Sequence, residues 1–193
     1  MKSLSSSLKF LEEVDKLKDT YRKCLTMSGS REENTAEHSF SLIMAVVLFE
    51  KRANHNIDIL KTMKMALFHD VVEVYSGDTF HYDKEKTDKF SEEFESLKKI
   101  LSHLDDDELV SEITSLWNEF EEGDSPEALF LRGLDRFLPM YHNYRTKGHS
   151  WIKYGITKEQ ALEKNSHIEN ASSEIWEYTK EMLKDSKMKG WIN

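Results

Sequence analysis

Phe68-His69-Asp70-Val71-Val72-Glu73 sets three ionisable side chains inside a segment that is otherwise apolar on the face that must pack. Leu60, Met63, Leu67, Val71 and Val74 recur around it at helical spacing, Asp58 stands where a cap belongs, and Tyr75-Ser76-Gly77 supplies a stop. The pattern predicts an amphipathic helix with its apolar stripe turned inward. On a continuous helix His69 and Glu73 stack on one face, while Asp70, rotated by about 100° from His69, still reaches a shared ion. Left unpaired in a core, such a cluster is costly. A divalent cation would offset that cost.

The same periodicity extends in both directions. Leu8, Leu11, Val14, Leu17, Tyr21 and Leu25 predict an N-terminal helix over Leu8 to Met27, broken by Ser28-Gly29-Ser30. Asn34 with Glu37 three residues on forms a capping box for a helix whose stretch Phe40 to Phe49 should be nearly all buried. After the motif, a loop from Asp78 to about Tyr82 leads to charge-rich helices over Asp88 to Leu104 and Asp106 to Glu121. Pro126 then opens a helix that carries Asp135 and ends at Lys147-Gly148-His149. Thr157, with Gln160 three residues on, caps a last long helix towards Lys184. Seven Gly and two Pro are too few for the turns of a sandwich or barrel. The expected fold class is all-α, a single-domain bundle of about six or seven helices.

The chain has 193 residues, with 36 Asp+Glu against 27 Lys+Arg, a formal charge of −9. No basic stretch could hold a nucleic acid duplex against that field. The longest apolar run, Leu42 to Phe49, is far shorter than the roughly 20 residues of a membrane span. Ser3 to Ser7 stand where a secretory signal would be apolar, and the lone Cys24 permits no intrachain disulfide. A reducing cytoplasm is the expected compartment.

Two further residues draw attention. His38 shares a helical face with Leu42 and Ala45, and Asp135 lies between Leu134 and Phe137. Taken singly, His38 reads as a hydrogen-bonded core histidine before a ligand, and Asp135 as the partner of Arg132 or Arg136.

Taken together, His38-Ser39 after Glu33-Asn34-Thr35-Ala36-Glu37, His69-Asp70-Val71-Val72-Glu73, Gly77-Asp78 and Leu134-Asp135-Arg136 resemble the HD-domain metal-dependent phosphohydrolase superfamily. More narrowly, Arg31 to Ser39 and His69 to Asp78 look like its YfbR-like branch, whose characterised members are 5′-deoxynucleotidases. The resemblance implies a metal-site core over about residues 15–150 followed by C-terminal helices over about 151–186. It implies that His38, His69, Asp70 and Asp135 hold one divalent metal ion. Such a mixed N/O set suits Mn²⁺, Co²⁺, Fe²⁺, Ni²⁺ or Zn²⁺. A cation of this kind polarises a phosphoryl oxygen and acidifies the water that attacks phosphorus.

By the same resemblance, Glu73 and Asp78 are the candidates to orient that water and to protonate the leaving 5′-oxygen. The alternatives are a partner to a ligating histidine for Glu73 and a turn cap for Asp78. Arg22 matches a phosphate-binding arginine, and its planar fork suits a phosphate. Arg31 could add a second positive group or be an exposed loop residue. His81, near the end of the motif loop, reads as a solvated histidine or a neighbour of the site.

The implied activity is phosphate removal from (deoxy)nucleoside 5′-monophosphates. The alternatives are another nucleotide phosphate, such as a triphosphate or a (p)ppGpp-like signal, and a catalytically silent metal- or nucleotide-binding module. The expected partners are a small phosphorylated substrate, no membrane, and a second copy of the chain in a homodimer.

Overall fold

The computed structural model describes residues 3–82 and 89–193. Among them are eleven α-helical segments: α1 (Leu4–Asp15), α2 (Thr35–Phe49), α3 (Ile59–Phe68), α4 (Glu73–Ser76), α5 (Lys89–Leu101), α6 (Asp107–Glu122), α7 (Pro126–Arg145), α8 (His149–Lys153), α9 (Lys158–Lys164), α10 (Ile168–Ala171) and α11 (Ser173–Met188). Seven of these have ten residues or more, in line with the expected bundle, and the rest are short turns of helix. Asp88, the expected start of the fifth, lies outside the described residues. Asn34 and Thr157 each form the complete capping box expected of them.

The N-terminal helix is corrected. It stops at Asp15, and the chain turns through a 3₁₀ segment into a two-stranded antiparallel sheet, β1 (Tyr21–Leu25) and β2 (Glu32–Asn34). Leu8 and Leu11, whose spacing suggested burial, are exposed, whereas Phe10 and Leu17 are buried. Gly29, at φ +73°, makes the connecting turn, a backbone region that other residues rarely adopt, and donates its N–H to the Thr26 carbonyl at 2.8 Å. Side chains alternate on β1, so Arg22 and Cys24 face inward while Tyr21 faces solvent.

The last helix is corrected too. It is broken into α9, α10 and α11, with Ser172 in extended backbone capping α11 through the Ile175 N–H. Asn54 fills the break: its backbone N–H donates to the Ala171 carbonyl, its side-chain amide to the Glu169 and Asn170 carbonyls, and its Oδ1 accepts from the Ser173 N–H. Here α10 lies so close to α7 that a Cβ on Gly133 would meet the Ala171 Cβ at 2.2 Å.

Two apolar clusters result. The first joins α2, α3 and α7 to α10 and α11 through Leu42, Val46, Met65, Leu131, Leu134, Ile168 and Leu183. The second gathers Val71, Val72, Leu97, Ile100, Ile113 and Trp117. Phe68 packs against both. The expectation that α2 is nearly all buried fails on one side: Leu42, Ala45 and Val46 are buried, but Phe40 and Leu48 are each 67% exposed. The helix is apolar all round, yet it packs on α3 and α7 along one face only. No helix among the described residues is long and apolar enough to cross a membrane.

Candidate metal centre and its cleft

The motif does not lie on a continuous helix. His69 N–H closes the last α-type bond of α3, to the Met65 carbonyl, and the next bonds run three residues back, Val71 to Phe68, Glu73 to Asp70 and Tyr75 to Val72, before Ser76 to Val72 and Gly77 to Glu73 resume the four-residue step. This tightening eclipses residues three apart, so Asp70 and Glu73 share a side instead of His69 and Glu73. Val71 and Val72 drop into the second cluster. The polar members are thereby turned towards α2 and α7.

There they meet His38, from the first turns of α2, and Asp135, from the middle of α7. His38 Nε2 is 2.9 Å from Asp135 Oδ1, and His69 Nε2 is 3.0 Å from Asp70 Oδ2. The crossed distances, His38 Nε2 to Asp70 and His69 Nε2 to Asp135, are both 3.9 Å. One ligand atom each from His38, His69 and Asp135 lies within 4.8 Å of the others.

The His69 ring is oriented from behind. Its Nδ1 lies 2.9 Å from the Ala66 carbonyl, which can only accept, so Nδ1 carries a proton and Nε2 faces the cluster. Nε2 is fully buried, and despite the nearby Asp70 oxygen it has no hydrogen-bond partner in line. Two imidazoles and the Asp135 carboxylate thus converge, Asp70 lies beside both imidazoles, and one buried nitrogen is unsatisfied. A divalent cation fits that donor set.

The acids of the cluster attract positive charge, as a proton on His69 or as a cation that takes its place. Burial works against charge on every member, but Asp70 outweighs it at His69 and holds that imidazole up to about 9. Burial likewise opposes ionisation of Asp135, yet Arg136 and then His38 hold its carboxyl well below the usual range. The pairing of Asp135 with Arg136 is realised, with Arg136 Nε 3.7 Å from its second oxygen.

Glu73 and Asp78 sit beside the cluster. Burial, and next the Asp70 carboxylate, push Glu73 well above its ordinary value, and burial also raises Asp78. Thr35 Oγ1 donates to Glu73 Oε2 at 2.7 Å. Arg22 reaches in from β1, with Nη1 3.1 Å from Asp70 Oδ2 and 3.4 Å from Asp78 Oδ1. Arg31 is not brought to the site. It grips Glu37 with both terminal nitrogens on an exposed surface.

The cluster opens into a cleft of about 510 Å³, lined also by Lys89, Glu93, Glu121, Arg132, Arg136 and His167. A side pocket walled by Phe80, Tyr82, Met140 and Trp151 joins it across Arg22, Asp78, Thr79, His81 and Arg136. His81 is therefore a wall of the site, with its Nε2 buried and unpartnered.

The sequence reading missed the far wall. Glu121 is pushed up to about 7, by burial and by Glu93, and Lys89 lies 3.2 Å from Glu93. Nothing in the sequence of these two amphipathic helices separates the acids that face the cleft from those that face solvent. Arg136 could have been found from its place beside Asp135.

A second convergence, Cys24, Glu33 and His142, is less suited to a metal. His142 Nδ1 is engaged by the Leu25 carbonyl at 3.0 Å, and burial, followed by Glu33, pushes the Cys24 thiol up to about 12.

A helical domain with a buried His/His-Asp/Asp cluster at the floor of a cleft is the architecture of a metal-dependent hydrolase class. The chain belongs to the HD domain family, whose profile matches residues 14–176. A solved predicted metal-dependent phosphohydrolase from Magnetospirillum magnetotacticum superposes with a TM-score of 0.92 at 31% identity, over 98% of this chain and 95% of that one. Human 5′-deoxynucleotidase HDDC2 is 33% identical over 134 residues, 68% of this chain. That alignment spans only 63% of the human protein. The Dictyostelium discoideum 5′-deoxynucleotidase HDDC2 is 30% identical over 73% of this chain and 77% of its own length.

Proposed function

We propose that the chain is a metal-dependent phosphomonoesterase that releases phosphate from (deoxy)nucleoside 5′-monophosphates. The observation that carries this is the convergence of His38, His69, Asp70 and Asp135 with Arg22 and two buried acids beside them. A divalent cation held by those four residues supplies Lewis acidity towards a phosphoryl oxygen and a water. Arg22 takes the phosphate: its Nη1 already lies against the Asp70 and Asp78 carboxylates at the edge of the cluster, and its planar fork can present two N–H groups to a phosphate there. Glu73 and Asp78, buried acids with raised pKa values, move the protons, one at the attacking water and one at the leaving oxygen.

The organic part of the substrate lies towards the side pocket, where Phe80, Tyr82 and Trp151 offer aromatic surface. The outer cleft mixes Lys89 and Arg132 with Glu93, Glu121 and Asp124, a lining that favours one phosphate over a chain of them. The 5′-deoxynucleotidase relatives support the nucleotide class. A buried lone cysteine accords with the cytoplasm.

The test is phosphate release from a panel of nucleotides with Mn²⁺, Co²⁺, Mg²⁺, Zn²⁺ or EDTA, run on the wild type and on Arg22→Ala. Wild-type activity is expected on nucleoside monophosphates and to vanish in EDTA. Arg22→Ala should raise KM by about 10–100-fold, the scale of a hydrogen bond to a charged group. Arg22→Lys should recover only part of this, and metal content should stay unchanged. Unaltered kinetics in Arg22→Ala would place the phosphate elsewhere.

We also propose a homodimer. Phe40, Met44 and Leu48 on α2, with Phe137 and Tyr178, line an apolar groove of about 570 Å³ on the outer surface. Light scattering on the eluting protein is expected to give twice 22.7 kDa. Phe40→Glu with Leu48→Glu should halve it, and a wild-type mass of one chain would refute the dimer.

A further inference from the structure

We propose that Glu33 is a positioning residue that, through one oxygen, aims both the phosphate-binding Arg22 and the metal-binding His38. The inference rests on the site reading above. Glu33 is 3% exposed, on the inward face of β2 opposite Arg22 and Cys24 of β1. Its Oε2 lies 3.9 Å from Arg22 Nε, 3.9 Å from His38 Nδ1 and 3.5 Å from the Cys24 thiol, which donates to it. Its Oε1 faces His142 Nδ1 at 3.7 Å. A carboxylate buried to this degree is costly without positive partners. Two of the groups it faces, the Arg22 guanidinium and the His38 ring, are working parts of the site.

At Arg22 the consequence is directional. Nε is buried with no hydrogen-bond partner, so the Glu33 charge is what holds the rear of the guanidinium plane. The front edge is thereby left facing Asp70 and Asp78, where a phosphate would arrive. At His38 the consequence is one of ring orientation. The carboxylate faces Nδ1 from behind at 3.9 Å, while Nε2 on the opposite edge is turned to the cluster, 2.9 Å from Asp135. One side chain thus sets two groups drawn from different elements, β1 and α2.

Glu33→Gln keeps the volume and removes the charge. Isothermal titration of the metal-free variant with Co²⁺ is expected to give an affinity about 10–100-fold below wild type, the scale of losing a partner to a metal ligand. With Co²⁺ saturating, its affinity for inorganic phosphate should fall about tenfold. In an Arg22→Ala background the phosphate effect of Glu33→Gln should disappear while the Co²⁺ effect persists. A general packing defect would not split in this way. Glu33→Asp, which keeps the charge but shortens its reach, should lie between and carries the test if Glu33→Gln fails to fold. Wild-type constants for both ligands in the folded variant, or an undiminished phosphate effect without Arg22, would overturn the proposal. Neither readout is turnover, so absence of nucleotide hydrolysis would defeat the phosphomonoesterase reading and leave this one standing.

Discussion

Asp70→Ala protein is expected to elute from purification with its transition metal gone and its phosphate release lost, while the helical signal of the fold survives. Asp70 faces both histidines, at 3.0 Å from His69 Nε2 and 3.9 Å from His38 Nε2, and it also receives Arg22 at 3.1 Å. Removing one member of a buried charged cluster costs about 3–5 kcal/mol, because the others keep their desolvation without their partner. A loss of that size in metal affinity corresponds to roughly 10²–10⁴-fold. Elemental analysis of wild type should find about one metal ion per chain, and chelator competition should place the variant in that weaker range. The apolar contacts made by Val71 and Val72 do not depend on the Asp70 side chain, which is why the fold should persist. Full metal occupancy in Asp70→Ala would sink the four-residue assignment.

Glu73→Gln should behave in the opposite sense, keeping the metal and losing turnover by about 10²-fold or more, the usual scale for a positioned acid or base. Thr35 Oγ1 lies 2.7 Å from Glu73 Oε2 and 3.3 Å from the Thr20 carbonyl, yet a hydroxyl has one proton to give. Thr35 therefore divides that proton between Glu73, the shorter contact, and Thr20, while burial and the Asp70 charge keep the Glu73 carboxyl in the raised range of a proton carrier. The amide of Gln can preserve that hydrogen bond but cannot exchange a proton with substrate or water. Stopped-flow measurement at saturating nucleotide separates the cases: kcat should fall with KM little changed. Wild-type turnover would make Glu73 a purely structural neighbour of the cluster.

What could be seen in the sequence was what local chemistry dictates. Asn34 with Glu37 and Thr157 with Gln160 announce their helices because a cap is satisfied within four residues. His38, His69, Asp70 and Asp135 stood out because ionisable groups on apolar faces need an explanation wherever the chain goes. The hairpin was hidden because Tyr21 and Leu25 fit a helical stripe as well as a strand; the alternation of Arg22 and Cys24 was the competing signal. The break at Ser172 depends on Asn54, more than a hundred residues away, and no local pattern records such a partner. Glu33 was unreadable for the same reason: in sequence it is one of two adjacent acids, and only strand pairing shows that it faces inward.

Between α3 and α4 the chain runs along the seam where the two apolar clusters meet, with Phe68 touching each. His38 and Asp135 belong to helices of the first cluster, whereas Asp70 and Glu73 ride on a turn whose valines are rooted in the second. Apolar contact resists separation across such a joint but tolerates sliding. A cation gripping side chains from both sides would act as a rivet, directional where the oily contacts are not. The stiffness of the molecule along that line then becomes a property of metal supply, and a substitution that thins either cluster, far from any polar group, would be felt first as play in the grip on the ion.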